Sequence, residues 1–194
     1  MGCSSCKTIK TKTNTTSFTD KRIKYEEQIN DNSLNIREDV DVLNLEGKLL
    51  DNSKFVLFCQ KNLPNLENLN LKNNNLSDIS ELKNLNAPKL KILDLSDNNI
   101  KDLEPFKEFK FPLEELYLKN NPINQISIFM EENIFKNLNK LRLNNIDYES
   151  NKDIISNIQK SIKDCIIDCE TNMQKNDKII EEQLLNKKST LSLS

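Results

Sequence analysis

Hydrophobic positions in the middle of this chain fall into blocks that recur. Leu66, Leu69, Leu71 and Leu76 sit at fixed offsets around a polar stretch containing Asn73, Asn74 and Asn75. The same offsets return 24 residues on at Leu90, Leu93, Leu95 and Ile100, and a further 23 residues on at Leu113, Leu116, Leu118 and Ile123. Each block reads L-x-x-L-x-L-x-x-N-x-L/I, with Asn74, Asn98 and Asn121 at the shared polar position. One match to so leucine-heavy a pattern is weak, but three in register at a near-constant period identify a repeat array. Leu69 and Leu71, two residues apart, fall on one face of a short strand with Asn70 on the other. A strand of this kind cannot bury its apolar face alone. Stacked in parallel with Leu93/Leu95 and Leu116/Leu118, it forms a continuous core.

The segment between strands has its own period. Leu76, Ile79, Leu82 and Leu85 recur every three residues, as do Ile100, Leu103, Phe106 and Phe109, which suits a short helical or 3₁₀ turn facing inward. Asn74, Asn98 and Asn121 fall where the chain turns inward after each strand. Buried backbone groups there need partners, and a stacked asparagine side chain can satisfy its neighbours' amides and carbonyls. These three are therefore read as structural.

The repeating blocks resemble the leucine-rich repeat family, in the short-repeat type of the phosphatase-1 regulatory subunit and of outer-arm dynein light chain one. The acidic leucine-rich nuclear phosphoproteins share this type, although their long acidic tail is absent here. The resemblance implies an α/β solenoid with parallel strands on the concave face and short helices or 3₁₀ turns on the convex face. Degenerate repeats flank the clear ones. Val40, Leu43, Leu45 and Leu50 fit the register with Lys48 at the asparagine position, and Leu138, Leu141 and Leu143 fit it with Ile146 there. About five repeats over residues 40–148 are expected, since terminal repeats are commonly atypical.

Residues 20–39 are mostly polar and read as an N-terminal flank or cap in which any helix is weakly amphipathic. In residues 149–173, Ile154, Ile158, Ile162 and Ile166 run at intervals of four, with Ile155, Cys165 and Cys169 widening the stripe, and predict a C-terminal capping helix. The alternative is a helix that docks on a partner. Residues 174–194 are expected to be a disordered tail.

Between the leucines, the strand positions on the other face read Val42, Asn44 and Glu46; Asn68, Asn70 and Lys72; Ile92, Asp94 and Ser96; Glu115, Tyr117 and Lys119; Lys140, Arg142 and Asn144. Acidic residues lie toward the first and middle repeats, whereas Lys119, Lys140 and Arg142 cluster at the last two. Tyr117 and Arg142 are residue types enriched at binding hot spots. Partner-binding candidates are Asn70, Lys72, Asp94, Glu115, Tyr117, Lys119, Lys140 and Arg142, because curved solenoid faces are the usual working surface of this architecture. A solvated polar face is the alternative at each of them.

Composition narrows the chemistry. The 194 residues carry no histidine and only two glycines, so His-dependent catalysis and a Gly-rich phosphate loop are unavailable. With no nucleophile motif and no paired carboxylates at catalytic spacing, an enzyme is not expected, nor is a metal site or cofactor. A net charge of −2 argues against a nucleic-acid binder. Five scattered cysteines suggest reduced thiols, not a disulfide framework. No stretch approaches the roughly 18–20 apolar residues that cross a bilayer, and no secretory-signal core is visible, so an intracellular protein is expected.

The first residues, Met1-Gly2-Cys3-Ser4-Ser5-Cys6-Lys7, resemble the acylated N-termini of Src-family kinases and other small anchored proteins. The resemblance implies myristate on Gly2 and palmitate on Cys3 and Cys6, on a flexible tether spanning residues 1–19. The strict motif has Ser or Thr where this chain has Cys6. One myristoyl chain holds a membrane only marginally, so a second acyl chain or a basic patch is needed. Lys7, Lys10, Lys12, Lys21, Arg22 and Lys24 provide such a patch, each adding about 1 kcal/mol near an anionic leaflet. A redox or zinc half-site at Cys3/Cys6 and an unmodified polar tail are the alternatives. The combined expectation is a non-enzymatic interaction module on the cytoplasmic face of a membrane, holding a protein through its concave face. Its rivals are a regulatory subunit of a phosphatase catalytic subunit and a ciliary or cytoskeletal scaffold.

Overall fold

Alternating leucines and a ladder of parallel hydrogen bonds organise the structure, a computed structural model that describes residues 29–30, 33–34, 36–48, 50, 52–131 and 133–170. Strands β1 (Ile29–Asn30) and β2 (Ser33–Leu34) pair antiparallel. The chain then runs through β3 (Val42–Asn44), helix α1 (Asn52–Cys59), β4 (Asn68–Asn70), β5 (Ile92–Asp94), β6 (Glu115–Tyr117), β7 (Lys140–Asp147), α2 (Tyr148–Ser161) and β8 (Asp164–Glu170). Strands β3 to β8 form one sheet in sequence order, every pair parallel. The three connections from β4 to β7 contain 3₁₀ turns at Ser80–Asn84, Glu104–Glu108 and Ser127–Met130. This is the leucine-rich repeat solenoid: stacked parallel strands on one side, short helices and 3₁₀ turns on the other.

The core is the inward face of those strands. Leu69, Leu71, Leu93, Leu95, Leu116, Leu118, Leu141 and Leu143 are fully buried, as are Leu66 and Leu90 at the approach to each strand. Burial of a leucine side chain contributes on the order of 1.5–3 kcal/mol, so the repeated leucines are the main source of stability. From the return side, Ile79, Leu82 and Phe106 close the core, with Phe106 against Phe109 (centroids 4.9 Å) and Phe135 (5.4 Å). In the first repeat, Phe55, Phe58 and Cys59 at i, i+3 and i+4 supply the same cover from a full α-helix.

Each turn out of β4, β5 and β6 rests on two residues, the first at a repeat position also held by Gly47 after β3 and by Asn145 inside β7. Gly47, Asn73, Asp97, Asn120 and Asn145 all take the left-handed conformation, with φ between 56° and 63°. Gly, Asn and Asp tolerate that region best, which is why those types recur there. The next position carries the asparagine ladder. Asn98 Nδ2 donates to the carbonyls of Leu71, Leu95 and Ser96, while its Oδ1 accepts from the amides of Asn74 and Leu76. Asn74 and Asn121 make equivalent bonds to the repeats beside them. All three are at most 9% exposed, so each side chain answers backbone groups that water cannot reach.

One expectation is corrected at the C-terminal end. The helix expected over residues 149–173 stops at Ser161, and Asp164–Glu170 is a sixth strand of the sheet. A spacing of four is compatible with both a helix face and strand alternation, because four is also a multiple of two. Ile155, Ile158 and Ile162 are buried, but Ile166 turns outward and is 41% exposed. The tertiary reason is Ile146, which occupies the asparagine position of the fifth repeat. With no ladder asparagine to turn it, β7 runs on for eight residues and its free edge is paired by β8, with a bulge at Asn145. At the other end, in the stretch read as an N-terminal flank or cap over residues 20–39, the described part holds the β1–β2 pairing, followed by buried Ile36 and Val40. Residues 1–28 and 171–194, with the acylation motif, its basic residues and the tail, lie outside the described residues.

The buried Cys59 thiol and the half-buried Cys165 thiol make stability depend on alkaline pH. Burial pushes Cys59 from 9.0 up to about 12, with the nearby Glu81 charge adding to it, and pushes Cys165 up to about 11. The unfolded chain therefore releases these protons first, and stability falls as pH rises from about 9 toward 12. At about 1.4 kcal/mol per unit, Cys59 alone costs on the order of 4 kcal/mol at the top of that window. Urea melts between about pH 8 and 10.5 should show a falling midpoint, with a shallower fall in Cys59→Ala.

Candidate partner-binding face

Strict register aligns the outward side chains into columns. Val42, Asn68, Ile92, Glu115, Lys140 and Asp164 form the first, and Asn44, Asn70, Asp94, Tyr117, Arg142 and Ile166 the second. Two residues further along, Glu46, Lys72, Ser96, Lys119, Asn144 and Asp168 form the third. All eight candidate residues lie in these columns, but they do not all present a free surface.

The second column divides. In its first three repeats, the side-chain oxygen of Asn44, Asn70 or Asp94 accepts the amide two residues on, at 3.0, 3.0 and 2.8 Å. This Asx turn ends each strand. Asn70 is 3% exposed and its amide donates to Glu46 Oε2 at 3.2 Å, so it serves the fold and offers almost nothing to a partner. In the next two repeats Tyr117 and Arg142 replace the short residues. Tyr117 donates its hydroxyl to Glu115 Oε2 at 2.5 Å, Lys140 Nζ reaches the same oxygen at 3.0 Å, and Lys140 lies 5.6 Å from the Tyr117 ring centroid. Burial first, then the bond to Glu115, pushes the Tyr117 hydroxyl up to about 12, so it is a neutral donor at physiological pH.

The sixth strand changes the electrostatics of the face. Read from sequence, Lys119, Lys140 and Arg142 form a basic end. In the structure β8 brings two aspartates to them. Arg142 Nη2 meets Asp164 Oδ2 at 2.6 Å while its Nη1 donates to the Asp164 carbonyl at 2.7 Å, and Lys119 pairs with Asp168 at 3.3 Å. With its side chain 13% exposed, Arg142 clamps β8 to β7. Nothing short of recognising residues 164–170 as a strand would have revealed these partners. At the other end Lys72 lies between Glu46 (3.1 Å) and Asp97 (3.7 Å), and its ammonium is held above the ordinary lysine range chiefly by its bond to Glu46.

Among the described residues no group of three or more His, Cys, Asp and Glu is placed to hold a metal ion, and no helix is long and apolar enough to cross a membrane. The arrangement offers a rigid, mixed-charge surface with one aromatic residue near its middle, suited to docking a polypeptide.

One family model agrees with the architecture. Residues 64–108 and 88–129 match the family described as Leucine Rich repeats (2 copies), so the central blocks are leucine-rich repeats by sequence as well as by fold. No curated protein matches the chain. Among solved structures, internalin C2 of Listeria monocytogenes strain 4b F2365 is 21% identical, with 54% of this chain and 42% of that one covered and a TM-score of 0.40. An internalin (inlF) from the same strain is 20% identical, covering 67% and 47%, with a TM-score of 0.33. The chain spans less than half the length of either solved protein.

Proposed function

We propose that this chain is a non-enzymatic interaction module that holds a protein partner on its strand face, and that acyl chains on Gly2, Cys3 and Cys6 keep it on the cytoplasmic leaflet of a membrane. The observation that carries the first half is the change in the second column. Where earlier repeats spend Asn44 and Asn70 on ending the strand, the fourth presents Tyr117 beside Lys119 and Lys140, on a backbone made rigid by the leucine core. Interfaces favour this combination of aromatic and cationic side chains on a preorganised surface. The second half rests on the Met1-Gly2-Cys3 start and on the six cations from Lys7 to Lys24, which together meet the two-signal requirement for stable anchoring.

Both halves are tested on the full chain expressed in cells. Gly2→Ala should move most of the protein from the membrane to the soluble fraction, and identical partitioning rejects the tether. Affinity capture with wild type should retain a partner that Tyr117→Ala/Lys119→Ala loses at least about 10-fold, as expected when interface anchors are truncated. Equal capture by both rejects the strand face. Arg142 is left intact because its guanidinium holds β8. Recovery of a phosphatase catalytic subunit would select the regulatory-subunit form of the reading.

A further inference from the structure

Asp94 is out of keeping with the rest of the strand face. It sits in the middle of the sheet, on the third of six strands, between Asn70 and Tyr117 in the second column. Every other carboxylate in the three columns has a cation against it. Glu46 has Lys72, Glu115 has Lys140, Asp164 has Arg142 and Asp168 has Lys119. Among the described residues Asp94 has no salt bridge. Lys72 is close enough to pull on it electrostatically, yet directs its ammonium to Glu46 and Asp97.

Its hydrogen bond does not explain the charge either. Asp94 Oδ1 accepts the Ser96 amide at 2.8 Å, the strand-ending bond that Asn44 and Asn70 make with neutral side chains at the same position. An asparagine would do that work without placing an ion in a half-buried position. Burial raises the Asp94 carboxyl above its ordinary value, against the pull of Ser96 and of the Lys72 charge, so the ionised form is held at a cost. A half-buried charge without an ion pair of its own on a strand face is where an opposite charge gains, because part of the penalty of stripping water from one partner is already spent.

Building on the strand-face reading, we infer that Asp94 is the anchor for a lysine or arginine side chain of the bound partner. The partner is a polypeptide that lays a segment across the strands and places one cation over the third strand. The four cations of the face are engaged by its own acids, so the unmatched charge selects a basic residue over an acidic one.

Selection of a displayed heptapeptide library against the full wild-type chain and against Asp94→Asn tests this. Asparagine keeps the Oδ1 acceptor for Ser96, and removal of an unpaired charge should leave the thermal midpoint equal or higher, which checks that the variant is folded. Wild type should select peptides with Lys or Arg at one fixed position. Asp94→Asn should lose that preference and bind a wild-type-selected peptide about 30-fold more weakly, the effect of removing one member of a desolvated pair. Selected peptides without a fixed basic residue, or with the same preference on both proteins, overturn the anchor while leaving the strand-face reading standing. Failure to select any peptide, or peptides that bind Tyr117→Ala/Lys119→Ala as well as wild type, overturns both.

Discussion

Asn98→Ala is expected to lower the free energy of unfolding by about 3–5 kcal/mol, measured by urea denaturation followed by circular dichroism. The side chain joins two adjacent repeats, bonding Leu71, Asn74 and Leu76 of the one before and Leu95 and Ser96 of its own. Its removal strands two buried amides and weakens three carbonyls in a region 9% exposed or less. Each buried polar group left without a partner costs about 1–3 kcal/mol, and some of that is recovered by relaxation or by water entering the space. Asn99→Ala, one residue away and exposed, should change stability by less than about 0.5 kcal/mol. Similar losses in the two variants would mean that the asparagine ladder contributes little.

Phe106→Ala should cost a comparable amount, about 3–5 kcal/mol, by a different route. Phe106 is 1% exposed and its ring touches those of Phe109 and Phe135, so truncation leaves a cavity between two 3₁₀ segments and the loop before β7. Phe106→Leu retains most of the volume and should lose less than about 1.5 kcal/mol. Met130→Ala, 42% exposed on the same side, should be near neutral. A small loss for Phe106→Ala would show that the aromatic cluster collapses around the gap.

Much of this architecture is legible in the residues. The leucine pairs two apart announce strands, the period announces parallel stacking, and the three-residue spacing from Leu76 and Ile100 announces the 3₁₀ turns at Ser80–Asn84 and Glu104–Glu108. Most of the left-handed residues could also have been found, since Gly47, Asn73, Asp97, Asn120 and Asn145 stand at one position of the repeat and are all types that accept positive φ, whereas Asn75 lies outside that position. The face was less legible. Alternation places Asn70 and Asp94 outward, but only the hydrogen-bond geometry shows that Asn70 is consumed by its own turn and by Glu46.

By itself the sequence determined the repeat, its strand register and the ladder, because each depends on contacts within one period or between equivalent positions of adjacent periods. Only the tertiary structure decided the end of the array. Residues 162–170 carry a spacing that fits helix and strand equally, and the choice fell to the exposed edge of β7, whose backbone groups gain partners only if β8 pairs with them. That single choice brought Asp164 and Asp168 to Arg142 and Lys119, closed the basic end of the face, and left Asp94 as its one carboxylate without a cation among the described residues.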